Sequence, residues 1–407
     1  MAYDKVIDSA KLDADMTTVA DAIRSKGGTS AALAFPAGFV SAIEAIEAGG
    51  GGGGGDVTPP TTPTDGKTRV YIHLEYGRTS PMLGVCPKGT VTVDWGDGTK
   101  PDTLTGTSTT TVKWTPTHEY TAPGDYVIAL TVKGTMGFYG NGSSNHYSGI
   151  LRYANVADAR NLAYQNAVQK VEIGEGVTSI GDNAFRNCSS LASINIPESV
   201  TSIGSNAFCS CYSLASITIP ESVTSIGGFA FRNCSSLASI TIPEGVTSIG
   251  TYAFSSCYSL ASITIPESVT SIGDNAFSSC YSLASITILE SVTSIGRSAF
   301  SNCFSLASIT IPEGVTSIGT YAFSSCSSLA SITIPEGVTS IGSNAFSNCY
   351  GMRYYDFTAC TSVPALPNTN AFNGIPSDCQ MLIPAALYDE WSAATNWATY
   401  ASYMVAV

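Results

Sequence analysis

Asp274–Ile288 reads DNAFSSCYSLASITI, and near copies of it return every 23 residues. Eight cysteines keep that interval with no insertion or deletion: Cys188, Cys211, Cys234, Cys257, Cys280, Cys303, Cys326 and Cys349. A fixed period of this length is the mark of a solenoid, whose units bury their apolar faces only against their neighbours. In the turn that starts at Val269, the apolar set is Val269, Ile272, Ala276, Phe277, Cys280, Leu283, Ile286 and Ile288. Alternation at its end predicts a short strand with Ile286 and Ile288 inward and Ser285 and Thr287 outward.

A residue that recurs once per turn stacks on its own copies, so Cys280 is expected between Cys257 and Cys303 as a small apolar filler. Stacked turns about 4.8 Å apart would allow disulfides, but a reducing compartment favours free thiols. That compartment is inferred from the N-terminus, MAYDKVIDSAKLDADMTT, which lacks the apolar run of a secretion signal. No window approaches the ~18 apolar residues of a membrane span. Zinc is not expected, because no paired C-x-x-C or histidine accompanies the cysteine ladder. The formal charge is −13, only 12% of residues are charged, and no lysine follows Lys170. Nucleic acid and anionic membranes are therefore not expected as partners, since both need clustered Lys and Arg.

Working outward, composition divides the chain into six stretches. Residues 1–48 carry two amphipathic helix patterns, Met16, Val19, Ala20 and Ile23, then Phe39, Val40, Ile43 and Ile46, too small to be stable alone. Residues 49–66, seven glycines and then DVTPPTTPTDG, form a tether. Residues 67–134 hold short β-branched runs separated by turn signals, RVYIHLEY, GTVTVDWGDGT, STTTVKW and GDYVIALTVKG, the pattern of a small antiparallel sandwich. A connector and N-terminal cap is expected over 135–176, the repeats over 177–357, and a C-terminal cap over 358–407. The fold class expected is thus multidomain: helices, a sandwich, and a solenoid of about eight turns.

Three resemblances follow from these residues. The spacing Leu283-x-x-Ile286-x-Ile288 is that of a leucine-rich repeat, and the consensus IPEGVTSIGxxAFSSCxSLASIT closely resembles BspA-like leucine-rich repeats. That class occurs on bacterial and protist surface adhesins and in genes of phages infecting gut bacteria. The departures are Leu289 for proline, Cys209 for serine, and the aromatic last strand with Met352, Tyr355 and Phe357. The pair VTVDWGDGT and THEYTAPGDYVIALTV resembles PKD-type immunoglobulin-like domains, which implies a spacer or weak binding module. VADAIRSKGGTSAALAFPAGFVSAIEAI and the stretch from Asn368 to Val407 are similar to segments of phage and prophage tail-associated proteins of Gram-positive bacteria.

No catalytic constellation is visible. His73, His118 and His146 lie in or beside the sandwich, no G-x-S-x-G, H-E-x-x-H or P-loop occurs, and no cofactor is expected. Asp94 and Asp97 read as turn residues, with calcium ligation as the alternative. The glutamates Glu198, Glu221, Glu244, Glu267, Glu290, Glu313 and Glu336 recur once per turn, either solvated or recruiting calcium. Aromatic variable positions are the candidate binding residues: Phe229, Tyr252 and Tyr321 after the Ile-Gly pair, and Tyr212, Tyr258, Tyr281, Phe304 and Tyr350 after the cysteine. As a strip on one flank they suit a carbohydrate or protein receptor; alternatively they cover hydrophobic edges between turns. Tyr388, Trp391, Trp397, Tyr400 and Tyr403 read as a cap, or as a receptor-binding tip.

The resemblances together imply a non-enzymatic phage or prophage virion protein, made in the bacterial cytosol and released by lysis. A host cell-surface glycan or protein is its expected partner, and residues 1–48 dock on other virion proteins. A virion decoration protein without a receptor and a bacterial surface adhesin are the rivals. Homo-oligomerisation is left open, since nothing in the repeats encodes it.

Overall fold

The computed structural model describes residues 63–140, 149–152 and 164–407. The helices expected over 1–48, the glycine run, His146 and part of the connector lie outside the described residues. What is described is a mostly-β solenoid with few helices.

From Val177 to about residue 357 one turn is laid down per 23 residues. Each regular turn has a strand at the Ser-Ile before its glycine, and most have another at Ser-Ile-Thr. Both pair in parallel with the same positions one turn on, Ile249 with Ile272 and Ile263 with Ile286. β-Branched Ile and Thr suit these strands, and the alternation holds: Ile286 is buried while Ser285 and Thr287 are exposed. Between the two strands the serine-rich Ala-Phe-x-x-Cys segment makes tight turns instead of a helix, tied to the next turn. Phe254 N donates to Ala276 O and Ser256 N to Ser278 O, both at 2.8 Å, so the irregular backbone is hydrogen-bonded. The repeated glycine answers a close approach: a Cβ on Gly296 would lie 2.6 Å from Asp274 N in the preceding turn.

Equivalent side chains form columns inside. From Phe185 to Phe372 the phenylalanine rings stack at 5.3–5.6 Å, with interplanar angles of 2–9°. Beside them stand the cysteines, all buried free thiols. The thiol is more than a filler. Cys280 Sγ donates to Phe254 O at 3.2 Å, and the same bond recurs at each column cysteine from Cys211 to Cys349. Burial pushes the Cys303 and Cys349 thiols up to about 12 and Cys280 well above its ordinary value.

At the N-terminal end, β1 (Thr68–Leu74), β2 (Met82–Asp94), β3 (Asp102–Thr107), β4 (Lys113–Trp114), β5 (Gly124–Phe138) and β6 (Leu151–Arg152) make an antiparallel unit. Its core holds Val70, Val91, Trp95, Ile128 and Leu130. β5 runs through the boundary read at residue 134 and pairs in parallel with β7's successor strand, Val177–Ile180, after Val168–Glu172 (β7) has paired with β1. β7 in turn pairs in parallel with Ser193–Asn195. Both strand ladders of the solenoid therefore begin on this sheet, and Phe138 packs on Phe185 at 5.3 Å to open the phenylalanine column.

The strands also continue past residue 357. Tyr354–Asp356, Gln380–Ile383 and Met404–Ala406 extend the ladder in parallel from Ser331–Thr333. The short helix Tyr388–Ala393 and the 3-10 turn Ala398–Tyr403 turn Trp391, Trp397 and Tyr400 inward. Trp391 lies 4.8 Å from Phe357, and Trp397 Nε1 donates to Pro364 O at 2.7 Å. These three rings are buried in the terminal core, which leaves none of them open to a receptor.

Candidate recognition surface

The eight candidate aromatics occupy two positions of the turn, six residues apart. At the first, Phe229, Tyr252 and Tyr321 have φ of 60°, 56° and 58°. Left-handed backbone costs an L-residue roughly 1–2 kcal/mol. Other turns place Asn183, Asn206, Asn275 and Asn344 there at φ of 55–57°, and asparagine tolerates that region. The recurring asparagine was thus a readable signal for a left-handed corner that the spacing argument missed. Phe229 and Tyr252 stack at 4.8 Å and 13°, half-buried, with the Arg232 guanidinium carbon 5.7 and 5.5 Å from the two ring centroids. Tyr321 sits between Ser298 and Asn344 in the adjacent turns and has no such partner ring.

At the second position, Tyr258, Tyr281 and Phe304 form one stack with spacings of 4.8 and 4.9 Å. Ser235 separates Tyr212 from this stack, and Ser327 separates Tyr350. What reads as one strip is therefore two stacks and three rings outside them. The first-position pair leans on Arg232 and covers surface between turns, while all five rings of the second position are exposed.

The acidic candidates have local partners. Glu198, Glu221 and Glu290 accept backbone N–H bonds from Ser222, Glu244 and Glu313 of the next turn, at 3.2, 3.4 and 3.1 Å. These carboxylates clip neighbouring turns, a role that neither solvation nor calcium anticipated. Asp94 accepts from Gly96 N at 3.0 Å, and Asp97 accepts from Thr99 N at 3.0 Å and faces His118 Nε2 at 2.8 Å. Partial burial opposes ionisation of Asp97, yet the bonds from Thr99 and His118 hold its carboxyl below the usual range. His118 itself stacks on Trp95 at 4.4 Å, so the trio is turn and core structure. Among the described residues no group of three or more His, Cys, Asp or Glu is placed to hold a metal.

Residues 159–282 and 247–377, together more than half of the chain, match the BspA type leucine-rich repeat region. The chain belongs to this family. This leucine-rich repeat protein is also similar to solved structures. One is a leucine-rich repeat protein of T. pallidum, 31% identical over 44% of this chain and 72% of that one, TM-score 0.36. A second is a leucine-rich cell surface protein of Faecalibacterium prausnitzii, 29% identical over 61% and 89%, TM-score 0.34. A third is a leucine-rich repeat protein of Eubacterium ventriosum, 25% identical over 63% and 75%, TM-score 0.39. No curated protein matches the chain.

Proposed function

We propose that the chain is a non-enzymatic surface-recognition protein whose solenoid adheres to a host cell-surface glycan or protein. The observation that carries this reading is the second aromatic position. Tyr212, Tyr258, Tyr281, Phe304 and Tyr350 stand exposed on turns whose other outward residues are mainly Ser, Thr and Asn. Rigid rings set among small polar groups give contact area at low entropy cost. The finer reading is a phage or prophage tail-associated protein that docks on the virion through residues 1–48 and reaches the host with its repeats. It is supported by the sequence resemblance of the N-terminal segment and of the C-terminal stretch, and the PKD-like resemblance supports a spacer role for residues 67–134.

The test is a pull-down of the full chain on intact gut Gram-positive cells and on their extracted wall glycans, alongside a Tyr258→Ser/Tyr281→Ser/Phe304→Ser variant. Binding by the parent and loss in the variant is the expected result. Equal binding by both removes the aromatic column from the reading, and no binding by either leaves a decoration role.

A further inference from the structure

The interruptions of the outer column carry more information than its stack. We propose that the gaps at Ser235 and Ser327 are two equivalent slots, each holding one neutral pyranose ring of a surface glycan between aromatic side chains two turns apart. This deepens the adhesive reading above and rests on it.

Within Tyr258–Tyr281–Phe304 the rings turn their faces toward one another and offer mostly edges to water. Exposure follows that geometry: Tyr281, flanked on both sides, is 39% exposed, Phe304 42%, Tyr258 43%, Tyr212 47% and Tyr350 65%. Where serine breaks the column, between Tyr212 and Tyr258 and between Phe304 and Tyr350, no neighbouring ring of the column stacks across the break; the Tyr350 hydroxyl there donates to Asn348 Oδ1 at 2.9 Å. Sugar rings bind aromatics through their C–H faces, so the breaks present the surface that a sugar needs and the stack does not.

Width agrees with that ligand. One turn separates rings by 4.8–4.9 Å, so a skipped turn opens about twice that distance. Two carbon contacts of about 3.5–4.0 Å each take up roughly 7–8 Å. The remainder suits a puckered ring with hydrogens on both faces better than a flat aromatic one. The floors of the two gaps match as well: Ser235 Oγ donates to Tyr212 O and Ser327 Oγ to Phe304 O, both at 3.4 Å. Each hydroxyl oxygen keeps lone pairs that can accept from a sugar hydroxyl. Every residue that follows this column, from Ser213 to Ser328, is serine, so the position next to each ring carries no charge, which matches a neutral ligand. The gaps lie four turns apart, which lets one glycan chain engage both and gain affinity by avidity.

The experiment titrates the full chain with N-acetylglucosamine tetramer and glucose tetramer, and with galacturonic acid tetramer as the charged counterpart, by saturation-transfer NMR and calorimetry. Ser235→Tyr/Ser327→Tyr closes both slots while adding aromatic area, and is expected to weaken neutral-sugar binding about tenfold or more. Tyr281→Ser removes aromatic area but opens a third slot, and is expected to keep or raise binding. Tyr212→Ser/Tyr350→Ser removes one wall of each slot and is expected to match the closed variant, should the tyrosine insertions not fold. The opposite signs, tighter binding on closing and weaker binding on opening, would mean that aromatic area is read, and would overturn the slots. Adhesion to cells by the parent without binding of either neutral tetramer, or with preference for the charged one, overturns the slots and leaves the adhesive reading standing. Absence of adhesion as well removes both.

Discussion

Two columns of rings run along the same solenoid at nearly the same spacing, and they differ in almost everything else. The inner phenylalanines are unbroken from Phe138 to Phe372 and buried. The outer column alternates tyrosine, phenylalanine and serine, and is exposed. A turn with no self-sufficient core must spend its large apolar residue on its neighbours, so the inner position admits one residue type. The outer position bears no such load, and its variation is free to serve recognition.

The comparison breaks most dramatically with pH. The column thiols are buried as neutral groups with raised pKa values, so the native state holds protons that the unfolded chain releases near its ordinary thiol pKa of about 8.5. Stability is then full below that pH and falls as pH rises through it, by up to about 1.4 kcal/mol per pH unit for each thiol. A steep unfolding transition is expected above about pH 9 by circular dichroism, softened in proportion as column cysteines are changed to alanine.

Next in size is ring deletion. Phe277→Ala should cost about 3–5 kcal/mol in denaturant unfolding, whereas Tyr281→Ser, one column over and four residues on, should stay within about 0.5 kcal/mol. Equal losses would erase the distinction between the columns. Cys280→Ser keeps a donor for Phe254 O but shrinks the side chain and buries a more polar group, for an expected loss of about 1–3 kcal/mol. One further change has the opposite sign. Tyr252→Asn relieves a left-handed tyrosine and should raise stability by up to about 1 kcal/mol, against the lost stack on Phe229. A clear loss instead would mean that the stack outweighs the strain.

Much of this was legible in the sequence because a repeat turns a three-dimensional relation into an interval: if Cys280 returns at 23 residues, its neighbours in space are its own copies. The inward Ile286 and outward Ser285 followed from alternation alone. What stayed hidden depends on where atoms point at corners or on pairings between distant segments. The thiol-to-carbonyl bond joins residues 26 apart, a step of one turn plus three. The union of β5 with Val177–Ile180 is a pairing across the connector that no local pattern encodes. In the outer column, an interval marks each ring's position but says nothing about which faces its neighbours cover.

The glycine and thiol contacts that lock one turn to the next are the same at every step, so the interior cannot count. A slip of the chain by one whole unit would meet matching partners throughout the regular repeats and would be refused only at the ends, where Phe138 on one side and the tryptophan-filled core on the other have no substitutes. Those ends set the number, and duplication or loss of a unit between them is a change the core does not notice. The outer column does notice, because each added or removed turn rewrites the order of its rings and gaps. Copy number in such a chain is thus a dial on its surface pattern, turned without disturbing its interior.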